Sequence, residues 1–69
     1  SNSAILKTSI ELNNATLKVY DILGQEVLTL AHLSGQEIKI IKGNLNSGNY
    51  YYHLSQNGNL VSKGKFILE

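Results

Sequence analysis

The strongest constraint on the fold of this chain is an alternation of apolar and polar residues that recurs along most of its length. It is clearest in the segments AILKTSIEL, ATLKVY and QEIKI, which begin at Ala4, Ala15 and Gln36. Successive side chains of a β-strand point to opposite faces of a sheet, whereas a helix repeats its apolar positions every three to four residues. The chain is therefore predicted to form strands that bury one face and expose the other.

Turn-forming residues separate these strands at intervals of about ten residues. The signals are Asn13-Asn14, DILGQ, LSGQ, NLNSGN and QNGN. The segment VLTLAHL is ambiguous, but the β-branched Val27 and Thr29 favour a strand that runs into a loop over one turn of helix. The expected fold is all-β: a small antiparallel immunoglobulin-like β-sandwich of about six or seven short strands.

The first turn with a clear mechanism lies in the segment YDILGQEV. Asp21 can bond its own backbone at the start of a tight turn, and Gly24 can take the positive φ that returns the chain to antiparallel pairing. This arrangement predicts a hairpin between the strands Leu17–Tyr20 and Glu26–Leu30.

The second such turn is formed by Asn57 and Gly58 in the segment SQNGNL. Asn-Gly is the pair best suited to a type I′ turn, whose twist matches that of the flanking strands. It predicts a hairpin between the strands Tyr50–Ser55 and Leu60–Leu68.

Sixty-nine residues are enough for one small domain, which we assign to residues 4–69. Ser1, Asn2 and Ser3 have the composition of an expression-tag remnant and are left outside the domain. A domain this short buries only roughly 60% of its unfolded surface, so a modest stability is expected.

The composition argues against several classes of function. The net charge is +1, from six lysines and five acids, and arginine and cysteine are absent. A nucleic-acid partner is not expected, because the surface is nearly neutral and lacks the usual bidentate reader of guanine. The acids occupy turns or solvent-facing strand positions, His32 and His53 are far apart in sequence, and no serine lies in a G-x-S-x-G elbow. We therefore expect no enzymatic activity, no metal and no cofactor.

Tyr50, Tyr51 and Tyr52 are adjacent. Alternation in a strand sends Tyr50 and Tyr52 to one face and Tyr51 to the other, so the three rings cannot form one stacking platform. Packing of Tyr50 and Tyr52 in the core is the favoured interpretation, and contact with carbohydrate is the alternative.

Three segments together resemble the C-terminal sorting domain of type IX secretion cargo in Bacteroidetes, the Por secretion tail. They are LKVYDILGQEV, LNSGNYYYHL and NGNLVSKGKFILE, and they extend over about residues 15–69. Their order and spacing, rather than any one of them, make the resemblance specific. The matching positions are Asp21, Gly24, Leu45, Gly48, Tyr50, Gly58, Lys63, Lys65 and Phe66.

The resemblance implies a signal rather than a catalyst. In this family the domain ends a larger secreted protein, whose cargo domain precedes it. The type IX translocon recognises the folded tail in the periplasm, and the cargo crosses the outer membrane to the cell surface or the medium. A sortase-like peptidase commonly removes the tail. The alternative function is an accessory β-sandwich that binds carbohydrate or acts as a spacer on a secreted enzyme.

For recognition by the secretion machinery, the expected residues are Lys63, Lys65 and Phe66, with Gly48 and Tyr50 of the LNSGNY segment as a second surface. The two lysines alternate along a strand and so share one face, whereas Phe66 points inward. Their alternative role is to keep an edge strand soluble. The chain lacks the proline-containing opening segment usual in the family, so an uncovered edge strand and self-association through it are also expected.

Overall fold

The fold is one antiparallel sheet of four strands in the order β2-β1-β3-β4. The computed structural model describes residues 3–69, so Ser1 and Asn2 of the expected tag remnant lie outside the described residues. No helix occurs among residues 3–69. The strands are β1, Ser3–Tyr20; β2, Glu26–Ile41; β3, Gly48–Gln56; and β4, Asn59–Leu68.

The all-β antiparallel prediction is confirmed, but six or seven short strands in a two-sheet sandwich are not. The expected turns at Asn13-Asn14 and in LSGQ are irregularities inside β1 and β2, where the pairing register shifts and both strands continue. Asn14 and His32 each have a φ of 58°, and Gly35 has a φ of 88°. Such bulges bend and twist a strand without ending it. Two long bent strands therefore replace several short ones.

The bends bring the far end of the β1–β2 ribbon back over the rest of the sheet. β1 pairs with β3 only through residues 16–20. Ile38 and Ile40 lie near the other end of the ribbon, yet they pack in the same buried cluster as Leu54 and Leu68 of β3 and β4. The curled sheet thus encloses one core.

The predicted alternation is confirmed by the pattern of burial. Leu17 and Val19 are fully buried, as is Ile40, whereas Lys18 and Lys39 between and beside them are exposed. Burial of such side chains is the main stabilising term available to a domain without disulfides. The core consists of Leu12, Ala15, Leu17, Val19, Ile38, Ile40, Tyr50, Leu54 and Leu68.

The hairpin predicted around DILGQ is confirmed, since Leu17 pairs with Leu30 and Tyr20 with Glu26. The segment VLTLAHL is a strand, as favoured, but it does not run into a loop. β2 continues through His32 to Ile41.

The hairpin predicted around Asn57 and Gly58 is also confirmed, with β3 paired to β4 along its whole length. Asn57 has a φ of 55° and Gly58 a φ of 78°. Two consecutive positive φ angles are what a type I′ turn requires.

Candidate functional site

The lysines of β4 lie on the outer face of the sheet. Lys63 pairs with His53 and Lys65 with Tyr51, and all four side chains are exposed. Phe66 points to the other face, as predicted, and its ring lies 5.9 Å from that of Tyr50 between centroids. We call Lys63 and Lys65 the lysine stripe. Aromatic packing on the opposite face of the sheet supports the strand that carries it.

The lysine stripe differs from Lys7 and Lys18 of β1 in having no carboxylate opposite it. On β1, Lys7 lies 3.9 Å from Glu37 and Lys18 lies 4.0 Å from Glu26, both glutamates being on β2. Within residues 3–69, neither lysine of the stripe forms an ion pair. Exposed ion pairs contribute little to stability, but they do neutralise the local field. The field of the lysine stripe is not neutralised in this way.

A shallow depression of about 460 Å³ lies between the lysines, and Tyr51, Tyr52, His53 and Gly64 complete its lining. On the core side of β4, a Cβ on Gly64 would approach the Tyr52 hydroxyl to 3.0 Å, so the lack of a side chain there lets the Tyr52 ring lie against β4 beside Phe66, as predicted for Tyr52. The ring of Tyr20 on β1 packs against that of His53, with centroids 5.0 Å apart. The outer face is therefore cationic and aromatic.

A second surface is formed by the β1–β2 turn, which Asp21 organises. One oxygen of its carboxylate, Oδ1, accepts hydrogen bonds from the backbone N–H of Leu23 at 2.9 Å and of Gln25 at 3.0 Å. The backbone N–H of Gly24 donates to the Asp21 carbonyl at 3.0 Å, and Gly24 has a φ of 86°. The mechanism predicted for this turn is thus present in the structure.

This turn exposes two large apolar side chains that were not singled out from the sequence. Ile22 is 69% exposed and Leu23 is 80% exposed. Their position in the sequence indicates this exposure, because residues at the centre of a tight turn between Asp21 and Gly24 have no sheet face against which to pack. Two exposed apolar side chains on a hydrogen-bonded turn are therefore available for contact.

The LNSGNY segment lies beside this turn, across a groove of about 440 Å³. The Tyr50 hydroxyl donates to the Asn46 carbonyl at 2.6 Å, and the Lys42 ammonium donates to the Ser47 hydroxyl at 2.8 Å. Gly48 has a φ of 146° where the segment enters β3. Tyr50 is itself buried on the core side, opposite the lysine stripe. Of the predicted recognition residues, only Lys63 and Lys65 thus present exposed side chains, whereas Tyr50 and Phe66 pack together on the core side.

Replacing Asp21 with alanine is expected to lower the free energy of unfolding by about 1 kcal/mol, because two backbone N–H groups lose their acceptor. Replacing it with asparagine keeps an oxygen at that position and is the matched control, expected to retain most of the stability. Urea denaturation followed by circular dichroism measures both. Equal stability of the two variants would show that the carboxylate oxygen does not hold the turn.

The described part of the chain has no group of three or more side chains suited to hold a metal ion. Among the same residues, no helix is long and apolar enough to cross a membrane.

Comparison with known proteins supports the sequence resemblance. A family model described as the secretion system C-terminal sorting domain, the Por secretion tail, matches residues 2–69. Searches of curated proteins and of solved structures found no significant match. Because the family match spans nearly the whole chain, the resemblance of the three segments is confirmed. The chain therefore belongs to the family of C-terminal sorting domains that direct type IX secretion cargo to the cell surface or the medium.

Proposed function

We propose that this domain is a non-catalytic export signal that the type IX translocon recognises in folded form through the lysine stripe. The domain passes through the periplasm attached to the cargo that precedes it, and a sortase-like peptidase removes it after outer-membrane passage. The observation that carries the proposal is the pair of exposed lysines on β4 with no carboxylate opposite them.

A signal shared by many cargoes needs a recognition surface that does not depend on the cargo. The lysine stripe meets this need because it is held by the sheet itself, on a strand whose inner face packs in the core through Phe66 and Leu68. Uncompensated charge attracts an acidic surface over several ångströms and orients the encounter. Recognition of this kind also weakens as salt is added.

The LNSGNY segment contributes a second contact surface in this proposal. Tyr50 is buried, so its role is to hold Asn46 through the hydroxyl–carbonyl hydrogen bond. Gly48 lets the backbone turn into β3 at a φ that other residues rarely adopt. The surface that contacts the machinery is then made of the exposed atoms between Asn46 and Tyr50. Ile22 and Leu23 of the neighbouring turn complete it.

The test is a reporter that carries a Sec signal and residues 4–69 at its C-terminus, expressed in a bacterium with an active type IX system. Export of the reporter is expected. Retention in the periplasm, also when a longer stretch of the parent chain is included, would refute the sorting function. Saturable glycan binding that Tyr51→Ala abolishes, combined with such retention, would instead favour the accessory carbohydrate-binding module.

The double substitution Lys63→Ser with Lys65→Ser is expected to reduce reporter export about tenfold, as the loss of two favourable charge contacts implies. Stability should change by only about 0.5 kcal/mol, because both side chains are exposed. The matched control is Lys7→Ser with Lys39→Ser, which removes the same charge from the β1–β2 ribbon. Normal export of the β4 variant, or equal loss in the control, would rule out the lysine stripe as the recognition surface.

A further inference from the structure

β4 is an edge strand with one side of its backbone unpaired by another strand. In the order β2-β1-β3-β4 it pairs with β3, and no other strand of residues 3–69 pairs with it. The backbone N–H and C=O groups along such an edge can bond to an added strand. Strand addition of this kind is a common mode of peptide recognition, in which the main chain supplies affinity and alternate side chains supply specificity.

The exposed side chains of β4 are not those expected of an edge strand that is merely protected against pairing with another chain. Lys63 and Lys65 have the charge that blunts an edge, but Ile67 follows on the same face and is 63% exposed. At the other end of the strand, Leu60 is 56% exposed. Exposed apolar residues on an edge strand promote pairing rather than prevent it. The combined pattern favours a charged and apolar partner over solvent alone.

The opposite edge of the sheet offers a useful comparison. On β2, Glu37 and Lys39 are two residues apart and carry opposite charges, and Glu37 is already paired with Lys7 of β1. β4 instead presents two like charges with no carboxylate opposite. The two edges therefore differ in charge, and only β4 is complementary to a uniformly acidic strand.

We propose that the β4 edge accepts an extended acidic segment of the secretion machinery as a fifth strand, an inference that rests on the proposed sorting function. Carboxylates two residues apart in a strand are about 6.6 Å apart, which is the spacing of Lys63 and Lys65. An apolar residue two positions further lies beside Ile67. Cross-strand pairs of opposite charge then add to the main-chain hydrogen bonds.

A second copy of this chain fits the edge less well. Antiparallel pairing of two β4 strands centred on Gly64 places Lys63 of one copy opposite Lys65 of the other. Like charges directly opposite each other destabilise a strand pair. The charge pattern therefore selects an acidic partner over self-association at this edge.

The test uses a synthetic peptide that alternates glutamate with threonine and ends in valine, titrated into the ¹⁵N-labelled 69-residue chain. Saturable shifts and slowed hydrogen exchange are expected for β4 amides. A peptide of the same sequence with alternate amides N-methylated keeps the charges but loses the main-chain bonds, and should bind at least about tenfold more weakly. Equal binding of the two peptides would overturn strand addition.

The charge pairing is tested with Lys65→Glu, which should weaken binding of the acidic peptide about tenfold and allow a lysine–threonine peptide to bind. Lys39→Glu makes the same change in net charge on β2 and should leave binding unchanged. Equal weakening by the two substitutions, or shifts that map to β2, would refute the β4 edge. Dimerisation through β4 in sedimentation that the peptide fails to disrupt would also refute it.

The sorting function and the strand-addition inference can fail separately. If the acidic peptide does not bind but Lys63→Ser with Lys65→Ser reduces export as expected, the sorting function stands and strand addition falls. If the reporter fusion itself stays in the periplasm, the sorting function falls, and with it the assignment of the acidic strand to the secretion machinery.

Discussion

Replacing Leu17 with alanine is expected to lower the free energy of unfolding by about 3 kcal/mol. Leu17 is fully buried on the central strand β1, where it pairs with Leu30 of β2 on one side and Leu54 of β3 on the other. A domain of this size has a total stability of only about 3–10 kcal/mol. The variant should therefore populate its unfolded state measurably, as urea denaturation followed by circular dichroism would show.

The matched control is Ile22→Ala, because Ile22 belongs to the same LKVYDILGQEV segment but is 69% exposed. Its stability is expected to change by no more than about 0.5 kcal/mol. Export of a reporter should fall with Leu17→Ala under our proposal that the machinery recognises the folded domain. If both variants denature at the same urea concentration, Leu17 does not have the central role in the core that its burial assigns to it.

Local sequence patterns were sufficient to predict the all-β class, the alternation of buried and exposed faces, and both tight hairpins. A period of two depends only on neighbours in sequence, so it identified Leu17 and Val19 as buried without knowledge of the partner strands. The Asn57-Gly58 turn was predictable for the same reason, because the positive φ angles that it requires belong to the two turn residues themselves. These features need no long-range information.

The strand count could not be predicted in this way, because turns and bulges use the same residues. Asn14 and Gly35 adopt positive φ in a bulge as readily as in a turn. Contacts distant in sequence decide between them, such as the hydrogen bond of 2.8 Å from the backbone N–H of Asn13 to the Gln56 side-chain oxygen. Where such long-range contacts form, the strand continues through the irregularity instead of ending in a turn.

The face occupied by the lysine stripe was predictable, but its lack of neutralisation was not. Strand alternation places Lys63 and Lys65 together on one face whatever their neighbours are. Which lysines meet a glutamate depends on register, and register joins Lys7 to Glu37 while it sets Lys63 beside His53. The distinction between a paired and an unpaired lysine therefore required the structure.

Replacing Gly48 with alanine is expected to lower the free energy of unfolding by about 2 kcal/mol, because a side chain at a φ of 146° is strained. An added Cβ would meet no heavy atom within 4 Å, so the cost arises in the backbone alone. The strain should displace the start of β3, where Gly48 pairs with Leu68 at the end of β4. Urea denaturation and the chemical shifts of the Leu68 amide measure the two effects.

The neighbouring Asn49→Ala is the matched control, since Asn49 is exposed and has no positive φ. Its free energy of unfolding should remain within about 0.5 kcal/mol of that of the unsubstituted chain. Export then separates the two roles of Gly48. If Gly48→Ala is exported normally at a temperature where it is folded, Gly48 serves the fold alone. If it is folded and still retained in the periplasm, the LNSGNY segment is itself a contact surface, because the lysine stripe on the opposite face remains intact.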